Sequence, residues 1–192
     1  QVLNTNYAQY VRPELEYRYY HNLTSESQFV YRAYGGLGYA YLNSDFVPYE
    51  KVFYSGGANE LRAFNARKVG PGSYRDTLNF EQFGDIKLNA NVEYRFDIVK
   101  KLKGAFFLDA GNVWFRESIP NRPGGQFDLG NLLPELAIGT GVGIRFDFTF
   151  FIFRIDGGIP LRDPSRDEGD RWVIDGVKFN TVIYNFGIGY PF

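Results

Sequence analysis

Residues 84–97 read GDIKLNANVEYRFD and alternate apolar with polar or charged side chains without interruption. Strict period-two alternation is typical of a β-strand that has one apolar and one polar face. Strands of globular domains are usually about 5–6 residues long, whereas a strand that crosses a bilayer needs about 9–11. The segment therefore predicts a membrane-spanning barrel strand, with Ile86, Leu88, Tyr94 and Phe96 toward lipid and the charged set toward the lumen.

The same alternation recurs in six other segments, which are residues 7–20, 27–42, 103–115, 136–149, 150–161 and 176–192. Together they predict an all-β fold, namely about seven strands of an antiparallel transmembrane β-barrel. In the last segment, the outward face is expected to continue through Tyr184, Phe186, Ile188, Tyr190 and Phe192. Seven is an odd number and single-chain bacterial barrels close on an even one, so we expect a larger barrel with further strands upstream.

The composition excludes several classes of protein. The formal net charge is −1, which gives no electrostatic reason to bind nucleic acid. The chain has no cysteine, which excludes disulfide scaffolds and thiolate metal sites. With His21 as the single histidine, neither a Ser-His-Asp triad nor a His-rich metal site can be assembled. We therefore expect no enzyme activity, no metal and no cofactor.

A soluble β-sandwich or lipocalin-like barrel is the structural alternative. In a sandwich that buries the polar face, Arg12, Glu93, Arg145 and Arg154 would lie in the core, and unpaired buried charge is very costly. The 19% aromatic content also fits lipid-facing strands with aromatic girdles better than a soluble core.

The connections between the predicted strands alternate between short and long. Outer-membrane barrels have short periplasmic turns and long outer loops. The pattern therefore predicts a protein of the bacterial outer membrane whose C-terminus lies on the periplasmic side.

The connection at residues 43–83 is too long to be a simple link. It contains Gly56-Gly57 and the run Leu61-Arg62-Ala63-Phe64. An arginine flanked by apolar residues can be anchored by them while its guanidinium reaches a carboxylate. We expect a structured loop directed into the lumen.

These motifs resemble the BamA/TamA superfamily of outer-membrane assembly and translocation barrels, and most closely its TamL-type members from Bacteroidetes. The hallmark Val-Arg-Gly-Phe/Tyr loop is matched by residues 61–64, with Ala63 in place of glycine. The hallmark Phe-x-x-Asp-x-Gly-x-x-Trp is matched by Phe106, Asp109, Gly111 and Trp114.

The resemblance implies a 16-stranded barrel, of which residues 1–192 form one C-terminal segment without the upstream strands and periplasmic domains. It also implies that Arg62 meets Asp109, with Glu93 as a second candidate. Gly56, Gly57 and Phe64 complete this expected loop latch.

The last strand carries a second pattern, formed by Asn185, Gly187, Tyr190 and Phe192. It resembles the C-terminal signal by which outer-membrane barrels are recognised for insertion, and in the resembled family this strand flanks a lateral gate. The expected function is assembly or export of other envelope proteins through that seam. The expected partners are outer-membrane lipid, unfolded outer-membrane protein clients and periplasmic or inner-membrane assembly partners. A passive channel and the barrel of an outer-membrane enzyme remain as alternatives.

Overall fold

The computed structural model describes residues 7–176 and 181–192. Its strands are β1 (Tyr10–Val11), β2 (Glu14–Asn22), β3 (Ser27–Leu37), β4 (Tyr39–Ala40), β5 (Phe53–Tyr54), β6 (Phe83–Gly84), β7 (Ile86–Val99), β8 (Leu102–Trp114), β9 (Ala137–Asp147), β10 (Ile152–Arg162) and β11 (Ile183–Ile188). The helical elements within the described ranges are short 3-10 turns at Tyr49–Lys51, Leu129–Asn131, Glu168–Asp170 and Ile174–Gly176. None of them has the length and apolar character of a membrane-crossing helix.

Seven strands form one sheet in the order β11-β10-β9-β8-β7-β3-β2, and every neighbouring pair is antiparallel. The remaining short strands pair as β1 with β4 and β5 with β6. The predicted all-β antiparallel fold with seven long strands is confirmed. Residues 100–101 and 148–151 form short turns at one end of the sheet, and the long connections lie at the other end.

The two faces of the sheet have the polarity of a barrel wall rather than that of a soluble core. Large apolar side chains on the strands are solvent-accessible, among them Leu15, Tyr17, Phe106, Val142, Tyr184, Phe186 and Ile188. Polar and charged side chains of the opposite face are buried, among them Lys87, Asn91, Glu93, Asp109, Arg145, Arg154 and Asp156. An apolar face of this size would be unfavourable in water, but it is stable where lipid covers it.

Two of the predicted strands are interrupted. The segment 7–20 divides into β1 and β2 at Arg12-Pro13, because proline lacks the N–H that a ladder bond requires. The segment 27–42 divides into β3 and β4 at Gly38, whose N–H donates to the carbonyl of Asp85 (2.6 Å).

The prediction that the last strand keeps its outward face through Tyr190 and Phe192 is wrong. β11 ends at Ile188, and Gly189 has a φ of +83°, a left-handed conformation that reverses the alternation. Phe192 is consequently 6% exposed and lies on the polar face of the sheet. Residues 177–180 of the predicted segment lie outside the described residues.

The long connection between β4 and β7 packs on the polar face of the sheet. Its base is held where the Asp85 N–H donates to the Trp114 carbonyl (2.7 Å) and where Gly84 lies against the Trp114 backbone. Leu61 and Val69 of the connection are buried with Ala137 of β9, and Phe64 packs against them. The connection is thus a folded part of the interior.

Candidate functional site

The loop tip is a compact turn shaped by two glycines. Gly56 and Gly57 have φ values of +101° and +94°. The Gly57 N–H donates to the Phe64 carbonyl (2.9 Å), which joins the two limbs of the turn. A Cβ on Gly56 would lie 2.3 Å from the Asn65 carbonyl oxygen, so the close approach of the limbs requires glycine. This turn presents the side chain of Arg62 to the sheet.

Arg62 forms a fork-shaped bond with Asp109 on β8. Its Nε and Nη2 atoms donate to the two carboxylate oxygens of Asp109 at 2.9 Å each, and its own backbone N–H donates to Oδ2 (3.1 Å). Its Nη1 atom donates to Glu93 on β7. The guanidinium carbon also lies 3.6 Å from the ring centroid of Phe107. All three charged side chains are fully buried.

Burial opposes a charge on Arg62, but the hydrogen bonds and negative charges of Asp109 and Glu93 outweigh it and raise the pKa of Arg62 above its ordinary value. Bidentate, charge-assisted bonds away from water are among the strong ones in proteins. Arg62 is therefore a permanently charged anchor.

Further ion pairs extend this site into what we call the central ion cluster, which consists of Arg62, Glu93, Arg95, Asp109, Arg145, Arg154 and Asp156. Glu93 also accepts hydrogen bonds from Arg95 Nε (2.7 Å) and Arg145 Nη2 (3.3 Å). Asp156 pairs with Arg145 (2.7 Å) and Arg154 (2.9 Å). Four arginines thus face three carboxylates, so some arginine N–H groups bind neutral acceptors instead. Arg154 Nη1, for example, donates to the Ala58 carbonyl (3.0 Å).

Two glycines of the sheet make room for the loop tip. A Cβ at Gly158 of β10 would lie 2.6 Å from the Arg62 carbonyl oxygen. A Cβ at Gly139 of β9 would lie 2.3 Å from the methyl carbon of Ala63. Ala63 therefore occupies the volume that the missing side chain of Gly139 leaves free.

The residues of the C-terminal pattern also meet this site. The Asn185 side-chain amide on β11 donates to the Arg62 carbonyl (2.8 Å), and Gly187 lies against the Arg154 guanidinium. Tyr190 and Phe192 reach Arg95, whose guanidinium carbon lies 4.2 Å and 5.6 Å from their ring centroids. The structure thus brings both sets of sequence-predicted residues to one place.

Sequence reasoning missed several members of the site. Asn91 donates to Asp109 Oδ1 (2.8 Å) and to the Glu60 carbonyl (2.6 Å), and the Phe107 ring forms a cation–π contact with Arg62. Asn91 shares the strand parity of Glu93, which is a signal that could have indicated it. Phe107 is aromatic at a polar position of β8, so parity alone points away from it. Within the described residues, no group of three His, Asp or Glu side chains is arranged to hold a metal ion.

An antiparallel sheet with an apolar outer face, a charged inner face and an interior loop anchored on that inner face defines a portion of a membrane β-barrel. The Omp85 superfamily domain model matches residues 2–192, and the chain belongs to this superfamily of outer-membrane barrels.

Solved structures show the same fold. The chain is similar to BamA from Haemophilus ducreyi lacking POTRA domains 1–3, with a TM-score of 0.63 and 16% identity over 94% of this chain and 34% of that one. It is also similar to CdiB from Acinetobacter baumannii, with a TM-score of 0.54 and 20% identity over 95% of this chain and 27% of that one. The chain thus spans about a third of the length of the first and about a quarter of the second.

Proposed function

We propose that this chain is the C-terminal barrel segment of a factor that assembles or translocates outer-membrane proteins. It acts without enzyme chemistry, and its upstream strands and periplasmic domains lie in the remainder of a larger protein. Superfamily membership and the likeness to BamA and CdiB support the general role. The TamL-type motif pattern supports a member of that branch from Bacteroidetes.

The observation that carries the proposal is the anchoring of Arg62. A simple pore needs charged walls in contact with water, whereas here Asp109 and Glu93 of the wall bind the arginine of a folded loop. Burying so many ionised groups costs free energy unless each is paired. In the proposed function, residues 43–83 are a latch that stiffens the wall formed by β7–β10 while client strands are handled nearby.

The proposed site of client handling is the seam beside β11. This strand lies at one edge of the sheet and pairs with β10 alone among the described strands. In the larger barrel proposed here, this edge is closed by a strand from the upstream part of the protein. Opening of that pairing would free backbone groups, which an incoming strand can take up through main-chain hydrogen bonds. The tie between Asn185 and the Arg62 carbonyl connects this edge to the latch.

The proposed setting is the bacterial outer membrane, with the C-terminus at the periplasmic side. The grouping of the short turns at one end of the sheet supports this orientation. Proposed partners are membrane lipid, unfolded outer-membrane protein clients arriving from the periplasm, and periplasmic or inner-membrane assembly subunits.

The test is charge reversal at Asp109 in the full-length protein, expressed in cells depleted of the native copy. Asp109→Arg places a second cation against Arg62, so we expect assembly of other outer-membrane proteins to fall and the loop 43–83 to become sensitive to protease. Asp97→Arg is the matched control, because Asp97 is exposed and pairs with Lys103 near the short turns.

Normal surface delivery of other proteins together with an unchanged protease pattern would contradict the latch. Normal delivery with increased ion conductance through the barrel would instead favour the passive channel.

A further inference from the structure

The chain segment after β11 contacts a strand far from the one it leaves. β11 lies at one edge of the sheet, and three strands separate it from β7. The last ladder bond is donated by Gly189 N–H to the Ile152 carbonyl (2.7 Å), and the chain then turns onto the polar face. Tyr190 and Phe192 come to rest at Arg95 of β7. The segment therefore links one edge of the sheet to the middle of its inner face.

Arg95 holds this segment by two kinds of contact. Its guanidinium lies over the Tyr190 ring, and its Nη2 donates to the Phe192 carbonyl (3.2 Å). A third contact joins Arg95 to the loop anchor, since its Nε donates to Glu93, which also binds Arg62. Arg95 thus bridges the terminal segment and the anchor of the loop.

The Phe192 ring lies close to two arginines of the central ion cluster and to Arg32 of β3. Guanidinium carbons of Arg62 and Arg95 lie 5.6 Å from its centroid, and that of Arg32 lies at 5.9 Å. Tyr190 and Arg95 also line a polar cavity of about 150 Å³, together with Asp97 and Lys103. Tyr190 and Arg95 therefore border a polar space near the short turns, while Phe192 lies against the arginines of the ion cluster.

We infer that Arg95 is a positioning residue that fastens Tyr190–Phe192 over the ion cluster, so that the last strand and the loop are held as one unit. Separation of β11 from β10 then requires either release of this fastening or bending at Gly189. Cation–π contacts and hydrogen bonds to a charged donor are strongest where water is excluded, and Arg95 and Phe192 are only 5% and 6% exposed. The inference rests on the proposed function for its biological meaning, but its test does not measure assembly.

The test measures how accessible the segment is in the full-length protein, made free of cysteine and reconstituted in lipid vesicles. These 192 residues contain no cysteine, so Pro191→Cys introduces a single reporter here for a water-soluble maleimide. We expect slow labelling of this reporter. Adding Arg95→Gln should raise the rate by about tenfold or more, because both the ring contact and the carbonyl bond are lost. Tyr190→Leu removes the ring contact alone and should raise the rate less.

Arg95→Lys separates positioning from charge. Lysine keeps a cation beside Glu93 but lacks the planar fork that reaches Glu93 and Phe192 together. We expect it to restore the thermal stability lost in Arg95→Gln. Labelling should lie between the rates with Arg95 and with Arg95→Gln, because a lysine can keep the ring contact but loses the bond to Phe192. Arg18→Gln, on the exposed strand β2, is the control and should leave the rate unchanged.

Labelling of Pro191→Cys as fast as a Ser25→Cys reporter in the exposed β2–β3 turn would overturn the inference. Equal rates with Arg95, Arg95→Gln and Tyr190→Leu would do the same. Should assembly prove independent of Asp109 while Arg95→Gln still accelerates labelling, the proposed function fails and the fastening stands.

Discussion

Two parts of the inner face carry similar side chains in different surroundings. On the wall that the loop covers, Glu93 accepts hydrogen bonds from Arg62, Arg95 and Arg145 and is fully buried. On the open wall formed by β2 and β3, Glu16 accepts hydrogen bonds from Arg18 and Arg32. The Glu16 side chain keeps 31% of its exposure.

The difference shows what the loop contributes. Alternating charge along a strand suffices to make ion pairs in contact with water, and such pairs contribute little to stability. Covering the pairs with the loop removes water, which makes each remaining partner indispensable. Where the loop covers the wall, the exposed ion pairs thus become buried pairs whose partners are all required for stability.

Removing the charge of Glu93 should have the largest effect. Glu93→Gln leaves three arginines around a neutral amide, and breaking a buried ion pair typically costs about 3–5 kcal/mol. Glu16→Gln, the matched change on the open wall, should cost about 1 kcal/mol or less. Thermal unfolding in detergent micelles, followed by circular dichroism, gives both values, and similar losses in the two variants would refute the distinction between the walls.

The fit between the loop and β9 should show the next largest effect. Gly139→Ala inserts a methyl where Ala63 already lies, and overpacking of this kind costs about 1–3 kcal/mol. Ala63→Gly should relieve it, so the double variant is expected to be more stable than Gly139→Ala alone. A double-mutant cycle on unfolding free energies measures the coupling, and additive effects would show that the two positions do not share the space.

A smaller effect is expected in the part of the loop where Glu81 contacts Tyr49 and Arg67, which we call the outer limb. Tyr49 donates a hydrogen bond to Glu81, and with Arg67 it lowers the pKa of Glu81 below its ordinary value. A lowered pKa means that this contact contributes fully above the ordinary pKa and is lost as the pH falls through the lowered one.

Acidification below about pH 4 should therefore loosen this limb while the Arg62 anchor holds. Limited proteolysis of the loop with an acid-active protease measures the effect, and Glu81→Gln should remove its pH dependence. An identical pH response in that variant would assign the change to another group.

Much of this architecture follows from local pattern. Side chains alternate between faces along a strand, so the parity of residues 84–97 places Glu93 and Arg95 together, and seven such segments define the sheet. The charged set containing Asp109 follows in the same way from its own strand. The expected contact of Arg62 with Asp109, and Glu93 as its second candidate, came from the resemblance to a known loop motif.

Other features depended on how distant segments meet. Pairing Asn91 with Asp109 across β7 and β8 is a matter of register, and the complement of Ala63 and Gly139 depends on the path of the loop. The inward turn at Gly189 reverses a parity that the sequence continues to suggest, because one left-handed residue redirects every side chain that follows. Alternation determined which side chains face lipid and which face inward, since it acts residue by residue. Which charges became partners was decided by the tertiary structure, since ion pairing depends on distance in space and on the exclusion of water.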